Sequence, residues 1–171
     1  MTPDAEEFCR EVHPRLVAAL TVHSGSRTEA EDLTQEALAR AVARWSKVRA
    51  MRHPQAWVFQ VAYNLSRSRW RRLGAERRAL ARIDPPTEAR PDEGDTGERE
   101  LLRDAVAALP PRQRAAVAMR HLADLSTAET ALALGCQEGT VRSLTAQGIA
   151  ALRSSLGAST STPESRGADH V

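Results

Sequence analysis

The residues with the most chemistry to offer lie near the C-terminal end. Ser126-Thr127-Ala128-Glu129 fits a helix capping box, Gly135 makes a turn, and a further helix follows over about Glu138 to Leu156. On a 100° wheel, Val141, Thr145, Gly148 and Leu152 share one face, which points inward. Arg142, Ser143, Ala146 and Gln147 then point outward. The pattern is helix-turn-helix. In its DNA-binding form the outward side chains near the start of the second helix enter the major groove. There an arginine pairs with a guanine edge and a glutamine with an adenine. Thr140 stands where a hydroxyl and a backbone N–H hold a phosphate. The same spacing also describes a plain helical hairpin with a solvated face.

A second constellation lies earlier. In a helix beginning near Pro54 and running to about Leu73, Trp57, Val58, Val61 and Leu65 form an aliphatic-rich stripe. Phe59, Tyr63 and Trp70 fall on nearly the opposite face, flanked by Arg67 and Arg71. Aromatic rings interleaved with arginine stack unpaired bases and neutralise phosphates. The alternative is a helix buried on both sides, between two others. Trp70 sits within the run Arg67, Arg69, Arg71, Arg72, Arg77, Arg78 and Arg82, and is the better DNA candidate. Asp32, Gln35, Glu36 and Arg40 occupy the polar side of an earlier helix, which spacing alone does not tell from a solvated face. Nothing points to catalysis. The five histidines have no zinc-ligand spacing, Cys9 and Cys136 form no CxxC, and no P-loop, nucleophile elbow or carboxylate pair stands out. Neither enzyme activity nor a metal or cofactor is expected.

Helices must position these residues. Aromatics are only 4% of the 171 residues, so the core rests on Leu, Val and Ala, and abundant Ala favours helix. The fold class expected is all-α, with two small helical domains joined by a flexible acidic linker. The first domain covers 4–83, the linker 84–97, the second domain 98–156 and a disordered tail 157–171. Phe8, Val12, Leu16 and Leu20 mark a first helix, which Pro14 should kink or restart. Thr28 and Glu31 fit a capping box for the second. The linker carries Asp84, Glu88, Asp92, Glu93 and Asp95 among several Pro and Gly, with almost nothing to bury. Net charge is only +2, so the distribution of charge says more than its sum. With no apolar run of spanning length and no apolar h-region at the start, the expected location is cytoplasmic.

The residues also carry a family resemblance. Asp32-Leu33-Thr34-Gln35-Glu36, Trp45, Pro54-Gln55-Ala56-Trp57, Asn64 and Arg71-Arg72 resemble region 2 of the extracytoplasmic-function sigma factors. Leu109-Pro110-Pro111-Arg112-Gln113-Arg114, Asp124-Leu125-Ser126, Glu129, Leu134-Gly135-Cys136 and Gly139-Thr140-Val141-Arg142-Ser143 resemble region 4. Thr130 and Gly148 are most similar to an actinobacterial subgroup. The resemblance implies an initiation factor that binds RNA polymerase core through its β′ and β subunits, recognises promoter DNA, and answers to an anti-sigma factor. It implies that Asp32, Gln35, Glu36 and Arg40 grip the β′ coiled coil. The loop from Ser46 to His53 and the helix after it, with Asn64, Arg67, Trp70 and Arg71, would recognise and open the −10 element. Thr140, Arg142, Ser143 and Gln147 would read the −35 element. The acidic linker would thread the polymerase's RNA path. The sequence departs from the family at Ser68, where Asp is usual, and at Leu144 and Gln147, where a basic residue is common. Fewer phosphates are then neutralised, so binding is weaker and less salt-sensitive. The residue-level alternatives are a helix-turn-helix regulator acting on duplex DNA without polymerase, and a module that only engages a regulatory protein.

Overall fold

The computed structural model describes residues 4–80 and 97–159. Helix α1 (Ala5–Ser24) starts at Asp4, whose side chain accepts from the Ala5 N–H at 2.7 Å. It ends at Gly25, which takes the left-handed conformation (φ 76°) that closes a helix without steric cost. Pro14 does not interrupt it: α1 is one helix through that position. The proline removes one N–H donor, and burial of Val12, Leu16 and Val17 on either side holds the turn in place. Helix α2 (Arg27–Ala43) is capped by Ser26 rather than Thr28. Ser26 follows the Gly25 turn in an extended conformation, and its side chain accepts from the Glu29 N–H. That leaves Thr28 inside the first turn.

The short α3 (Trp45–Val48) occupies the start of the expected loop and plants Val48 fully in the core. Helix α4 (Pro54–Leu80) runs past the expected end at Leu73 and carries Arg77 and Arg78 with it. Gly97, placed at the end of the expected linker, is the first residue of α5 (Gly97–Ala107). The rest of that stretch, 84–96, lies outside the described residues. Helix α6 (Pro111–His121) has proline at its first position, where the missing N–H costs nothing. Helix α7 (Thr127–Leu134) shows the expected capping box in both directions. The Glu129 N–H donates to Ser126 Oγ at 3.1 Å, and the Ser126 N–H donates to Glu129 Oε2 at 2.8 Å. Helix α8 (Glu138–Ser159) continues past Leu156, so the expected tail begins as helix; residues beyond 159 lie outside the described part.

The architecture is all-α, as expected, with no strand among the described residues. In the first block α1 packs on α2, and α2 on α4. In the second, α6 and α7 pack on α8. At Gly148 α8 packs tightly on α6: a Cβ there would lie 2.7 Å from Val117 Cγ2. The two blocks also pack on each other. Helix α1 lies along α6 and α4 along α7. Leu20, Phe59 and Tyr63 of the first block meet Ala115, Ala118 and Met119 of the second in a single buried cluster. Phe59 and Tyr63 are therefore core residues, the second of the two possibilities open for that helix. A large apolar side chain buried this way contributes about 1.5–3 kcal/mol, an upper figure because the unfolded chain already hides some surface.

Candidate nucleic-acid interface

The helix-turn-helix is set by local chemistry. Gly135 (φ 64°) ends α7 in the left-handed region, and its N–H and that of Cys136 take the Leu132 and Ala131 carbonyls. Helix α8 then starts at Glu138 with Val141 and Gly148 buried against the block and Leu144 partly covered. Arg142, Ser143, Ala146 and Gln147 are exposed on the opposite side, as the wheel predicts, and Thr140 is exposed as well. They are not idle. Arg142 Nη2 reaches Glu138 Oε2 at 3.0 Å. Gln147 donates to Ser143 Oγ at 3.1 Å and accepts from Gln113 Nε2 at 3.1 Å. These contacts orient the row along α8, and each is weak enough, being exposed, to give way to a base or phosphate.

On α4, Asn64, Arg67 and Arg71 are exposed, and Arg71 donates to Ser68 Oγ at 3.3 Å. Trp70 is only half exposed, because its ring lies in the seam between the blocks. It stacks on His23 with ring centroids 5.5 Å apart and planes 5° from parallel, and the Arg114 guanidinium sits 5.8 Å from its centroid. In this packing the indole is engaged within the protein, whereas Asn64, Arg67 and Arg71 face solvent.

On α2, Asp32, Gln35, Glu36 and Arg40 are all exposed and share one face. Arg40 Nε pairs with Glu36 Oε1 at 2.7 Å, and Arg69 of α4 approaches Asp32 at 3.8 Å. A shallow groove runs between α2 and α4 beside Asp32, Glu36, Ser68 and Arg72. It presents carboxylates on one wall and guanidiniums on the other, a surface for a charged partner.

What sequence reasoning missed is the polar seam between the blocks. Arg114, nearly buried on α6, donates to the His23 carbonyl at 2.8 Å and to the Ala107 and Leu109 carbonyls at 2.9 Å. Arg15 of α1 donates from Nε to the Ala123 carbonyl at 2.8 Å and from Nη1 to Gln55 Oε1 at 2.7 Å. His53 Nδ1 stands 3.8 Å from Glu129 Oε1. Burial pushes the Glu129 pKa up, but the Ser126 hydrogen bonds and the charges of His53 and Arg15 outweigh it and hold it below its ordinary value. His23 is pulled down to about 4, by burial first and then by the Arg114 charge. Arg114 was visible only as part of a sequence motif, and nothing in that motif names its acceptors.

No helix among the described residues is long and apolar enough to cross a membrane, and no described group of His, Cys, Asp and Glu is placed to hold a metal. The family model for Sigma-70 region 2 matches residues 8–76, and that for Sigma-70, region 4, matches residues 99–152. The RNA polymerase sigma-E factor of Streptomyces antibioticus is 38% identical over 75% of this chain and 71% of its own length. The protein of the same name from Streptomyces coelicolor is 33% identical over 88% of this chain and 85% of its own. The ECF RNA polymerase sigma factor SigL of Mycobacterium tuberculosis is 34% identical over 78% and 77%. Among solved structures, the sigma factor RpoE of Bartonella quintana, crystallised with the anti-sigma factor NepR, superposes with a TM-score of 0.74 over 89% of this chain and 96% of that one. At 24% identity it shows the fold.

Proposed function

The chain belongs to the sigma-70 family of RNA polymerase sigma factors, in its extracytoplasmic-function branch, and from that premise we propose how its surfaces divide the work. It binds core polymerase and directs it to promoters, so its work is recognition, strand opening and positioning rather than covalent chemistry. The observation that carries this reading is the presence of region 2 and region 4 in order on one chain, each folded as a helical block. A regulator that only binds duplex DNA has no use for the first.

In this assignment Asp32, Gln35, Glu36 and Arg40 on α2 take the β′ subunit, their exposure on one face being the support. Asn64, Arg67, Trp70 and Arg71 on α4 take the −10 element, where a base lifted from the stack costs a few kcal/mol, about the scale set for base flipping. Thr140, Arg142, Ser143 and Gln147 on α8 read the −35 element. The domain division follows the same lines: 4–83 for core and −10 binding, 98–156 for −35 binding, with 84–97 between them. Reaching two promoter elements requires the blocks to part on the enzyme and free Trp70 from His23. We place the protein in the cytoplasm, with an anti-sigma factor as a further partner.

Run-off transcription with purified core lacking its own specificity subunit tests this. Defined start sites that depend on the added chain are expected. A chain that shifts duplex DNA alone and neither binds core nor starts transcripts would overturn it in favour of a regulator.

A further inference from the structure

A cavity of about 250 Å³ opens in the seam between the blocks. His23, Tyr63, Arg67 and Trp70 line it from the first block, and Pro111 and Arg112 from the second. Two guanidiniums face it and no carboxylate does. Among the described residues neither Arg67 nor Arg112 has an acidic partner; Arg67 instead stands 5.9 Å from the Tyr63 ring centroid. Both arginines act on the Tyr63 hydroxyl, and Arg114 adds a third positive charge behind Trp70 and His23. Two guanidiniums thus line the cavity and a third lies behind it, and each attracts an anion placed there.

Other features favour an anion at the same place. The eleven-residue α6 points its N-terminus there, with Pro110 and Pro111 offering no side-chain cap. Leu134 and Gly135, at the C-terminal end of α7, also line the cavity, but the Ala131 and Leu132 carbonyls of that end are already taken by the Cys136 and Gly135 N–H groups. His23 is buried and its Nδ1 has no partner in the protein. The space falls below the roughly 300–1,000 Å³ that encloses a drug-sized ligand. Trp70 is already stacked on His23, with Arg114 beside it, so its ring is not on offer to a base.

We propose that this cavity binds the phosphoryl group of a small phosphate monoester, gripped by Arg67 of α4 and Arg112 of α6. Each planar guanidinium offers paired N–H donors matched to phosphate oxygens. Because the grip needs both blocks, an occupied site stabilises the packed arrangement over any arrangement in which they separate. The inference depends on that packing and goes beyond the promoter-binding assignment.

The test uses the full chain without polymerase. Inorganic phosphate is titrated against sodium chloride at constant ionic strength while thermal unfolding is followed, with glycerol 3-phosphate and a single-stranded oligonucleotide lacking terminal phosphates as further probes. A saturable rise in Tm with phosphate and with the monoester is expected. Arg67→Gln and Arg112→Gln should each weaken it roughly tenfold or more, the scale of one lost charge-assisted hydrogen bond. Arg78→Gln, on α4 but away from the cavity, should leave it unchanged. Circular dichroism confirms that each variant is folded; both arginines are exposed, so neither change reaches the core. An equal response in all three variants means general screening and overturns the proposal. Binding of the oligonucleotide but neither phosphate probe also overturns it, because the arginines then belong to a nucleic-acid track. Failure to bind core polymerase would leave this experiment untouched, so the two readings fail separately.

Discussion

Replacing Arg114 by Met keeps the aliphatic stem and removes every donor, which isolates what the guanidinium does. The residue is 9% exposed and makes three bonds to carbonyls, two near the end of α5 and one across the seam to His23. A hydrogen bond from a charged donor contributes about 1.5–3 kcal/mol, so a simple sum would be large. Two effects reduce it. Arg114 Nε has no partner, and burial already pulls the side chain's pKa down, so methionine relieves a desolvation cost. The Ala107 carbonyl is only partly buried and regains water. What remains is mainly the loss at Leu109 and His23, about 2–4 kcal/mol in total. Urea unfolding of the variant, extrapolated linearly to water, should show that fall. Hydrogen exchange should speed up at the α5–α6 junction and the C-terminal turn of α1. Arg114→Lys should recover less than half, because one ammonium cannot span three acceptors in a planar fork. A fall below about 1 kcal/mol, or exchange that rises evenly over the chain, would refute the view that this side chain ties the blocks together.

Lowering the pH from about 6.5 toward 4 should cost stability through His23. Its folded pKa is depressed, so the contribution is whole above the unfolded value of 6.5 and is lost as pH falls toward about 4. At about 1.4 kcal/mol per unit this comes to about 3 kcal/mol. The difference between wild type and His23→Gln in urea melts across that window checks it, and parallel pH curves would contradict it. Gly148→Ala should destabilise the second block by about 1–3 kcal/mol, since its Cβ would meet Val117 Cγ2 at 2.7 Å. Thermal melts of the double variant with Val117→Ala should recover part of that loss. Arg142→Ala should weaken −35 binding by the polymerase complex by about 1–3 kcal/mol, less a few tenths for the exposed Glu138 pair that wild type must break. An unchanged promoter profile in run-off assays would remove Arg142 from the reading row. Glu36→Arg should lower affinity for core in a pull-down while circular dichroism stays unchanged, because Glu36 is exposed and its nearest ion pair is the local one with Arg40. Normal binding would take α2 out of the polymerase contact.

Most of the helices and the outward row of α8 were readable from order and spacing alone, because they rest on contacts a few residues long, but α3, the start of α2 and the end of α4 were not. The capping box at Ser126 and Glu129 closes over three residues, and the inward turn of Val141 follows from the 3.6-residue period. Family membership was legible for a related reason: its motifs are short and stand in a characteristic order. Periodicity says which face of a helix is apolar but not what covers it, so Phe59 and Tyr63 fitted two descriptions until α6 was seen packed over them. Pro14 forbids one hydrogen bond locally, yet the burial of its neighbours outweighs that rule. The seam was decided only by the tertiary structure. Arg114 and His23 lie 91 positions apart and Arg15 and Ala123 lie 108 apart, and no local preference joins residues at such separations. Their meeting depends on how two apolar surfaces happen to match in shape, which a one-dimensional pattern of residue types does not encode.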